Sequence, residues 1–217
     1  MKRPDLDRIY TADALQLLPS WPNGCVDVLV TDPPYGNAAS YGRAGRRIIG
    51  DEHPLVGLQA VAASYRLLKR NATAYVFCAA HHVGFLEHFF LRYSDFRRRE
   101  LLIWNKRQPG FGYPFRRMHE CILVLEKGRP RYRETSIPTV LSVARAETKD
   151  HPHAKPVELL ERLIQASSDP GDVVLDPFAG SGATAVAAQR ADRRFIGIEV
   201  DPTYAELART RTQERAA

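Results

Sequence analysis

The sequence predicts an α/β protein whose buried, parallel strands present a ligand site at their carboxyl ends. Short apolar runs alternate along the chain with segments of helical periodicity. One run, residues 26–30, ends at Thr31 and Asp32, and the two prolines that follow cannot donate ladder hydrogen bonds. Near the end of the chain, a strand, a glycine loop, a helix and a second strand follow one another, which is a βαβ unit.

Length and composition predict one soluble globular domain over residues 1–217. The hydrophobic fraction is 44% and the charged fraction is 26%. No apolar run approaches the ~20 residues of a membrane helix, and the first residues lack the apolar segment of a signal peptide. Three widely spaced cysteines predict reduced thiols, and the histidines lack metal-site spacing. We therefore expect a cytoplasmic protein without a membrane segment or a metal.

Basic residues outnumber acidic ones by 31 to 25, which gives a net charge of +6. Several of them cluster in segments predicted to be loops, where they fit contacts with nucleic-acid phosphates. Solvated faces of an arginine-rich protein would give the same pattern, so charge alone leaves both interpretations open. The candidates for DNA contact are Arg43, Arg46, Arg47, Lys106, Arg107, Arg116 and Arg117.

Periodicity and turn residues predict the order of the elements. A short strand and a helical turn come first, with Asp13 at their junction. Loops are predicted over residues 36–50 and 108–117, and strands 100–106 and 120–126 could form an antiparallel edge. Helices are predicted over residues 55–70, 81–93, 155–168 and 184–190, and from residue 202; further strands are predicted over residues 73–80, 173–175 and 195–199.

The tetrapeptide D-P-P-Y at residues 32–35 has the groups needed to bind an exocyclic amine of a nucleobase. Asp32 offers a carboxylate acceptor, the proline peptide fixes a carbonyl beside it, and Tyr35 offers a face for stacking. Accepting both amine hydrogens makes the nitrogen a better nucleophile. A strand that ends in a proline turn, with Tyr35 packed in the core, is the structural alternative.

A glycine loop follows the strand at residues 173–175. Gly180 and Gly182 permit close approach of the backbone to a ligand, and Glu199 follows about 20 positions later, where an acidic residue reaches ribose hydroxyls. This pattern fits a dinucleotide or S-adenosylmethionine. A dehydrogenase is disfavoured, because Asp176 and Phe178 widen the loop and no second mononucleotide half follows.

Together, D-P-P-Y-G at residues 32–36 and D-P-F-A-G-S-G at residues 176–182 resemble the motifs of amino-group DNA methyltransferases. The catalytic motif precedes the cofactor motif, which is the permuted order of the β group. Supporting motifs are D-x-L-x-x-L-P from Asp13, W-N-K at residues 104–106, H-E-C-I-L-V-L-E-K-G at residues 119–128 and H-A-K-P at residues 153–156. The resemblance extends over nearly the whole chain.

The resemblance implies a Rossmann-like, mostly parallel sheet of seven strands flanked by helices, with S-adenosylmethionine as cofactor. Glu199 would bind the ribose, Asp13 and Ala14 would lie near the adenine, and Lys155 and Pro156 would line the same pocket. The full set of implied cofactor residues is Asp13, Ala14, Asp32, Lys155, Pro156, Asp176, Phe178, Ala179, Gly180, Ser181, Gly182, Thr184, Glu199, Val200 and Asp201.

The same resemblance implies catalysis on a base flipped out of double-stranded DNA. Asp32 and the Pro33 carbonyl would accept the amine hydrogens beside Pro34, and the base would stack on Tyr35. The nitrogen would then attack the methyl group in line. Residues 129–150 form a short candidate for target recognition, and loops 36–50 and 108–117 could share that role. A homodimer is common in this group.

Several alternatives stay open at this point. Asp at position 32 resembles adenine-N6 enzymes, whereas cytosine-N4 enzymes more often carry Ser there, so adenine is favoured. RNA or protein methylation is disfavoured by the motif order. Methylation at cytosine carbon 5 is disfavoured because none of Cys25, Cys78 and Cys121 follows a proline. An inactive DNA-binding module would be expected to carry a broken motif, and none is broken.

Overall fold

A computed structural model describes residues 1–34, 54–110, 113–145 and 154–213. It contains one eight-stranded sheet in the order β1-β8-β7-β2-β3-β5-β4-β6. The strands are β1 (Arg8–Thr11), β2 (Val26–Thr31), β3 (Leu68–Cys78), β4 (Arg97–Asn105), β5 (His119–Lys127), β6 (Val140–Ser142), β7 (Val173–Asp176) and β8 (Arg194–Glu199).

The sheet is mostly parallel, as the sequence predicted. Among the described strands, β5 alone runs against its neighbours, and it pairs with β3 on one side and β4 on the other. The sheet has eight strands rather than the expected seven. The additional strand is β6, whose three residues pair in parallel with β4 at Ile103, Trp104 and Asn105. Its pairing with β4, rather than a strong apolar pattern of its own, accounts for this strand.

Helices cover both faces of the sheet, because the side chains of each strand alternate between two apolar clusters. Val28 and Val30 point toward the helices over residues 157–167, 183–190 and 202–213, while Leu29 points toward those over residues 14–17, 54–64 and 83–93. Within the described part of the chain, no helix is both long and apolar enough to cross a membrane. The helices are α1 (Ala14–Leu17), α2 (Pro54–Ser64), α3 (Val83–Tyr93), α4 (Val157–Ser167), α5 (Ala183–Arg190) and α6 (Pro202–Gln213).

The prediction of a helix over residues 55–70 was wrong at its carboxyl end. Helix α2 ends at Ser64, and residues 68–70 already belong to β3. Leu68 pairs with Val26 of β2, and the Lys69 ammonium donates a hydrogen bond to Asp27 at 2.9 Å. Pairing with β2 therefore overrides the helical periodicity of the local sequence.

The segment from residue 128 to 145 packs on the domain rather than standing apart from it. Its Arg133 forms an ion pair with Asp169 behind α4, and its Tyr132 donates a hydrogen bond to Glu126 at 3.1 Å. At its other end, the indole N–H of Trp104 donates to the Val143 carbonyl at 2.8 Å. A role of residues 129–150 in target recognition stays a prediction, and residues 146–150 lie outside the described residues.

Gly182 limits the distance between α5 and α6, which makes it a test of this packing. Its φ is +79°, and an added Cβ would lie 2.8 Å from the Cβ of Ala208. Gly24 has a similar φ of +68° but open space around it, so it is a matched control. We expect Gly24→Ala to cost about 1 kcal/mol and Gly182→Ala about 1–3 kcal/mol more. Urea denaturation measures both, and equal losses would contradict the packing argument.

Candidate active site

Three acidic side chains meet at one edge of the sheet, because β2, β7 and β8 run parallel and end there. Asp32 directly follows β2, Asp176 is the last residue of β7, and Glu199 is the last residue of β8. The sequence predicted that Asp32 follows a central strand and that Glu199 ends the second strand of the βαβ unit, and the structure brings both to the same edge as Asp176. The side chain of Asp32 is 28% exposed, whereas Asp176 is buried.

The Asp176 carboxylate joins β2, β7 and the start of α5. It accepts hydrogen bonds from the Thr31 hydroxyl at 2.8 Å, the Thr184 hydroxyl at 2.7 Å and the Phe178 N–H at 3.0 Å. Burial raises the pKa of Asp176 to about 6, although these hydrogen bonds lower it. Asp176 thus shapes the start of the glycine loop, and its direct contact with a cofactor stays a prediction.

The Glu199 carboxylate holds the glycine loop against the end of β8. One oxygen accepts the Gly180 N–H at 2.8 Å and the other accepts the Asp201 N–H at 2.8 Å. Burial raises the pKa of Glu199, and these backbone hydrogen bonds act in the opposite direction. The Glu199 carbonyl also accepts the Ala12 N–H at 3.0 Å, so the start of α1 lies beside the same loop.

The chemistry of this acceptor set fits the ribose of a nucleoside cofactor. An ionised carboxylate offers about four acceptor positions, so Glu199 can keep two backbone donors and still accept hydroxyl groups. Asp13 caps α1 through the Leu15 N–H at 2.8 Å, which orients the backbone next to Glu199. Ser181 is fixed from behind, because its carbonyl and hydroxyl accept hydrogen bonds from Arg211 at 2.8 and 2.9 Å.

Asp32 is held by a chain of partly buried charges that the sequence did not reveal. The Lys155 ammonium donates to the Asp32 carboxylate and lies 3.3 Å from Glu120, and Glu120 also forms an ion pair with Lys106. Burial alone would lower the pKa of Lys155, but the two carboxylates raise it above its ordinary value. Burial would raise the pKa of Glu120, but the two ammonium groups lower it.

Aromatic rings form the floor under both ammonium groups. Lys155 lies 5.4 Å from the ring centre of Phe77, and Lys106 lies 5.2 Å from that of Trp104. The two rings meet edge to face with centroids 6.5 Å apart. Cation–π attraction therefore adds to the ion pairs, and the rings exclude water from below.

Gly57 of α2 allows the D-P-P turn to pack against this helix. An added Cβ at Gly57 would lie 2.9 Å from the Pro34 carbonyl oxygen and 3.0 Å from the Pro33 Cβ. A glycine inside a helical pattern was the available sequence signal, although helix propensity alone would disfavour glycine at this position. The turn that presents Asp32 is thus fixed by backbone contact as well as by charge.

Residues 26–210 match the DNA methylase family N6_N4_Mtase, which is most of the chain. The chain belongs to this N6/N4 DNA methylase family. It is 34% identical over 201 residues to YubD of Escherichia coli K12, covering 92% of this chain and 87% of YubD. It is 27% identical over 237 residues to the DNA adenine methyltransferase YhdJ of the same strain, covering 92% and 80%.

Solved methyltransferases share the fold along nearly the whole chain. The M1.HpyAVI–SAM complex superposes with a TM-score of 0.74 at 26% identity, covering 94% of this chain and 98% of that chain. The cytosine-N4-specific PvuII DNA methyltransferase superposes with a TM-score of 0.76 at 18% identity, covering 95% and 89%. The expected β-group identity and methyltransferase fold are confirmed.

The structure exposes some of the residues predicted to contact DNA and partly buries another. Arg107, Arg116 and Arg117 are exposed beside the site, in a loop that also exposes Tyr113 and Phe115. Lys106 differs from them, because only 11% of its side chain is exposed and its ammonium binds Glu120. The predictions for Tyr35, Arg43, Arg46, Arg47 and loop 36–50 lie outside the described residues.

The raised pKa of Asp176 makes stability depend on pH. The carboxyl group loses its proton at an ordinary pKa of 3.8 when unfolded but at about 6 when folded. Its contribution to the free energy of unfolding is therefore complete below about pH 4 and is lost as pH rises through about 6, a change of about 3 kcal/mol. Asp176→Asn has no proton to lose. We therefore expect the free energy of unfolding of the wild type, measured by urea denaturation relative to that of Asp176→Asn, to fall by about 3 kcal/mol between pH 4 and 7. A difference that stays constant over this range would contradict the prediction.

Gly57→Ala tests whether backbone contact positions the D-P-P turn. Alanine is the better helix former, but its Cβ would displace Pro33 and Pro34 and with them Asp32. We expect the methyl-transfer rate to fall by about 10- to 100-fold, because small misplacements of reacting groups are costly. Gly84→Ala in α3 is the matched control, since its Cβ meets nothing within 4 Å. Equal rates in the two variants would refute the positioning role.

Proposed function

We propose that this DNA methylase transfers the methyl group of S-adenosylmethionine to the exocyclic N6 amine of adenine in double-stranded DNA. The observation that carries the proposal is the Asp32 carboxylate at the end of β2, held by Lys155 beside the glycine loop. Aspartate at position 32 and the likeness to the adenine methyltransferase YhdJ favour adenine. Cytosine N4 is the second candidate, because the family includes such enzymes and PvuII shares the fold.

The mechanism assigns Asp32 the role of hydrogen-bond acceptor for the amine. Its carboxylate has acceptor capacity beyond the bond to Lys155, and the Pro33 carbonyl lies beside it. Positive charge develops on the amine nitrogen during transfer, so a fixed carboxylate stabilises the transition state more than the ground state. Tyr35 is assigned the stacking face for the flipped base.

When bound, S-adenosylmethionine would supply the methyl group and leave as S-adenosylhomocysteine, with one proton of the amine released to solvent, and the chain would supply the orientation. Glu199 would hold the ribose, and the loop at Gly180 and Gly182 would present backbone N–H groups. Asp13 and Ala14 would lie at the adenine, and Lys155 would stay with Asp32. The remaining assigned positions are Pro156, Asp176, Phe178, Ala179, Ser181, Thr184, Val200 and Asp201.

Exposed arginines indicate which surface of the molecule would face the DNA. Arg107, Arg116 and Arg117 lie on the loop between β4 and β5, whose ends meet the edge that carries Asp32. Phosphate contacts by these side chains would orient the duplex without reading its sequence. Residues 129–150 are assigned a share in target recognition, and a homodimer stays part of the proposal.

Incubation with unmethylated DNA and labelled S-adenosylmethionine, followed by nucleoside mass spectrometry, tests the proposal. We expect N6-methyladenine from the wild type and a rate at least about 100-fold lower from Asp32→Ala, because the charge acceptor is lost. Cofactor binding, measured by calorimetry, should be nearly unchanged in the variant, since Glu199 and the glycine loop are intact.

Each other outcome changes a different part of the proposal. N4-methylcytosine would keep the mechanism and overturn the choice of base. No modified base despite cofactor binding would favour an RNA or protein substrate, or an inactive binding module. Full activity of Asp32→Ala would remove Asp32 from the mechanism.

A further inference from the structure

Four charged side chains form one continuous row at the edge of the sheet. Lys106 follows β4, Glu120 lies in β5, Lys155 precedes α4, and Asp32 follows β2. Their charges alternate in sign, and each contacts the next: Lys106 with Glu120, Glu120 with Lys155, and Lys155 with Asp32. The side chains of both lysines are only 11% exposed, and that of Glu120 is 25% exposed.

Partial burial couples the four charges to one another. A buried charge is costly unless it is paired, so removing one member leaves its neighbour uncompensated. The two lysines lie over the rings of Phe77 and Trp104, which offer cation–π contact but no hydrogen-bond acceptor comparable to a carboxylate. Each ammonium is thereby directed toward the carboxylates above the rings.

Lys106 is therefore in a different environment from the arginines around it. Arg107 and Arg116 are exposed, and they donate hydrogen bonds to backbone carbonyls, those of Ser142 and Gly110. The ammonium of Lys106 instead faces Glu120 across the strand pair, because Trp104 and Glu120 are directly opposite each other in β4 and β5. A lysine placed in this way is poorly positioned to neutralise a DNA phosphate.

We propose that Glu120 and Lys106 are positioning residues for methyl transfer, which act on Asp32 through Lys155, and that Lys106 is not a phosphate contact. This inference rests on the proposed function, because it assigns Asp32 the role of amine acceptor. Glu120 shares the Lys155 ammonium with Asp32 and thereby leaves Asp32 more negative toward the amine. Lys106 holds the Glu120 carboxylate at the position where Glu120 can bind the Lys155 ammonium.

The row is neutral as a whole, with two positive and two negative groups. Glu120→Gln would leave it with a net charge of +1 beside an amine that becomes positive in the transition state. Lys155 would then bind Asp32 alone and withdraw more of its negative charge. Turnover should fall, while the affinity for DNA phosphates should not.

The decisive experiment compares Lys106→Met and Glu120→Gln with two controls. Arg116→Met removes an exposed arginine of the same loop, and Lys69→Met breaks the surface ion pair with Asp27 at the opposite end of β2. For each variant, kcat at saturating DNA and the salt dependence of the DNA dissociation constant are measured. We expect kcat to fall about 10- to 100-fold in both variants, with the salt slope unchanged. In Glu120→Gln the row becomes positive, whereas in Lys106→Met the row becomes negative but the Glu120 carboxylate is no longer held in place, and we expect the lost position to outweigh the gained charge.

The controls should separate the two roles. Arg116→Met should reduce the slope of log K against log salt by about 1, which is the loss of one phosphate contact, and Lys69→Met should change neither quantity. The double variant Lys106→Met/Glu120→Gln should lose no more kcat than Glu120→Gln alone, because both act along one path. Fully multiplicative losses would contradict a shared path.

A reduced salt slope with unchanged kcat in Lys106→Met would overturn the inference and make Lys106 a phosphate contact. If Lys106→Met does not fold, Lys106→Gln replaces it, because the glutamine amide can keep a hydrogen bond to Glu120 without the charge. The decision then rests on kcat and on the salt slope of the Lys106→Gln variant. Absence of methylation by the wild type is a different outcome. That result rejects the proposed function, whereas the inference fails only against an active wild type.

Discussion

Two carboxylates at the ends of neighbouring strands set the constraint on which this active site depends. Strands β2 and β7 pair at Val28 with Val174 and at Leu29 with Leu175, so Asp32 and Asp176 end up close together at one edge. Burial is the main cause of the raised pKa of Asp176, and the like charge of Asp32 adds to it. The fold therefore has to stabilise the negative charge of each aspartate, and it does so with different partners.

The two aspartates are stabilised by different partners, which suits Asp176 to a structural role and Asp32 to the catalytic role proposed for it. Asp176 is surrounded by hydroxyl and N–H donors from Thr31, Thr184 and Phe178, which tie two strands to a helix. Asp32 instead binds the partly buried Lys155 ammonium, which it shares with Glu120. Both aspartates precede a proline in the sequence, so their different roles come from their surroundings and not from local motif chemistry.

The sequence predicted the elements whose signal is local. The apolar run of β2 and the βαβ unit around the glycine loop were both recovered, and so were the antiparallel strands β4 and β5. Helix α2 was predicted too long and β6 was missed, because pairing with β2 and β4 decides those residues. Lys106 was grouped with Arg107 by composition, although its partner Glu120 is reached only when β4 and β5 form a hairpin.

The partly buried row from Lys106 to Asp32 has a free-energy cost that a role in stability does not explain. Buried ion pairs contribute little to stability, and apolar residues of similar size are often as stable or more so. Phe77 and Trp104 already form an apolar floor on which such residues could pack. The proposed function gives a reason for Lys106 and Lys155 at these positions: they keep the Asp32 carboxylate charged and immobile next to an amine that would become positive. The row therefore links the hairpin of β4 and β5, which carries the exposed arginines, to the group assigned to catalysis.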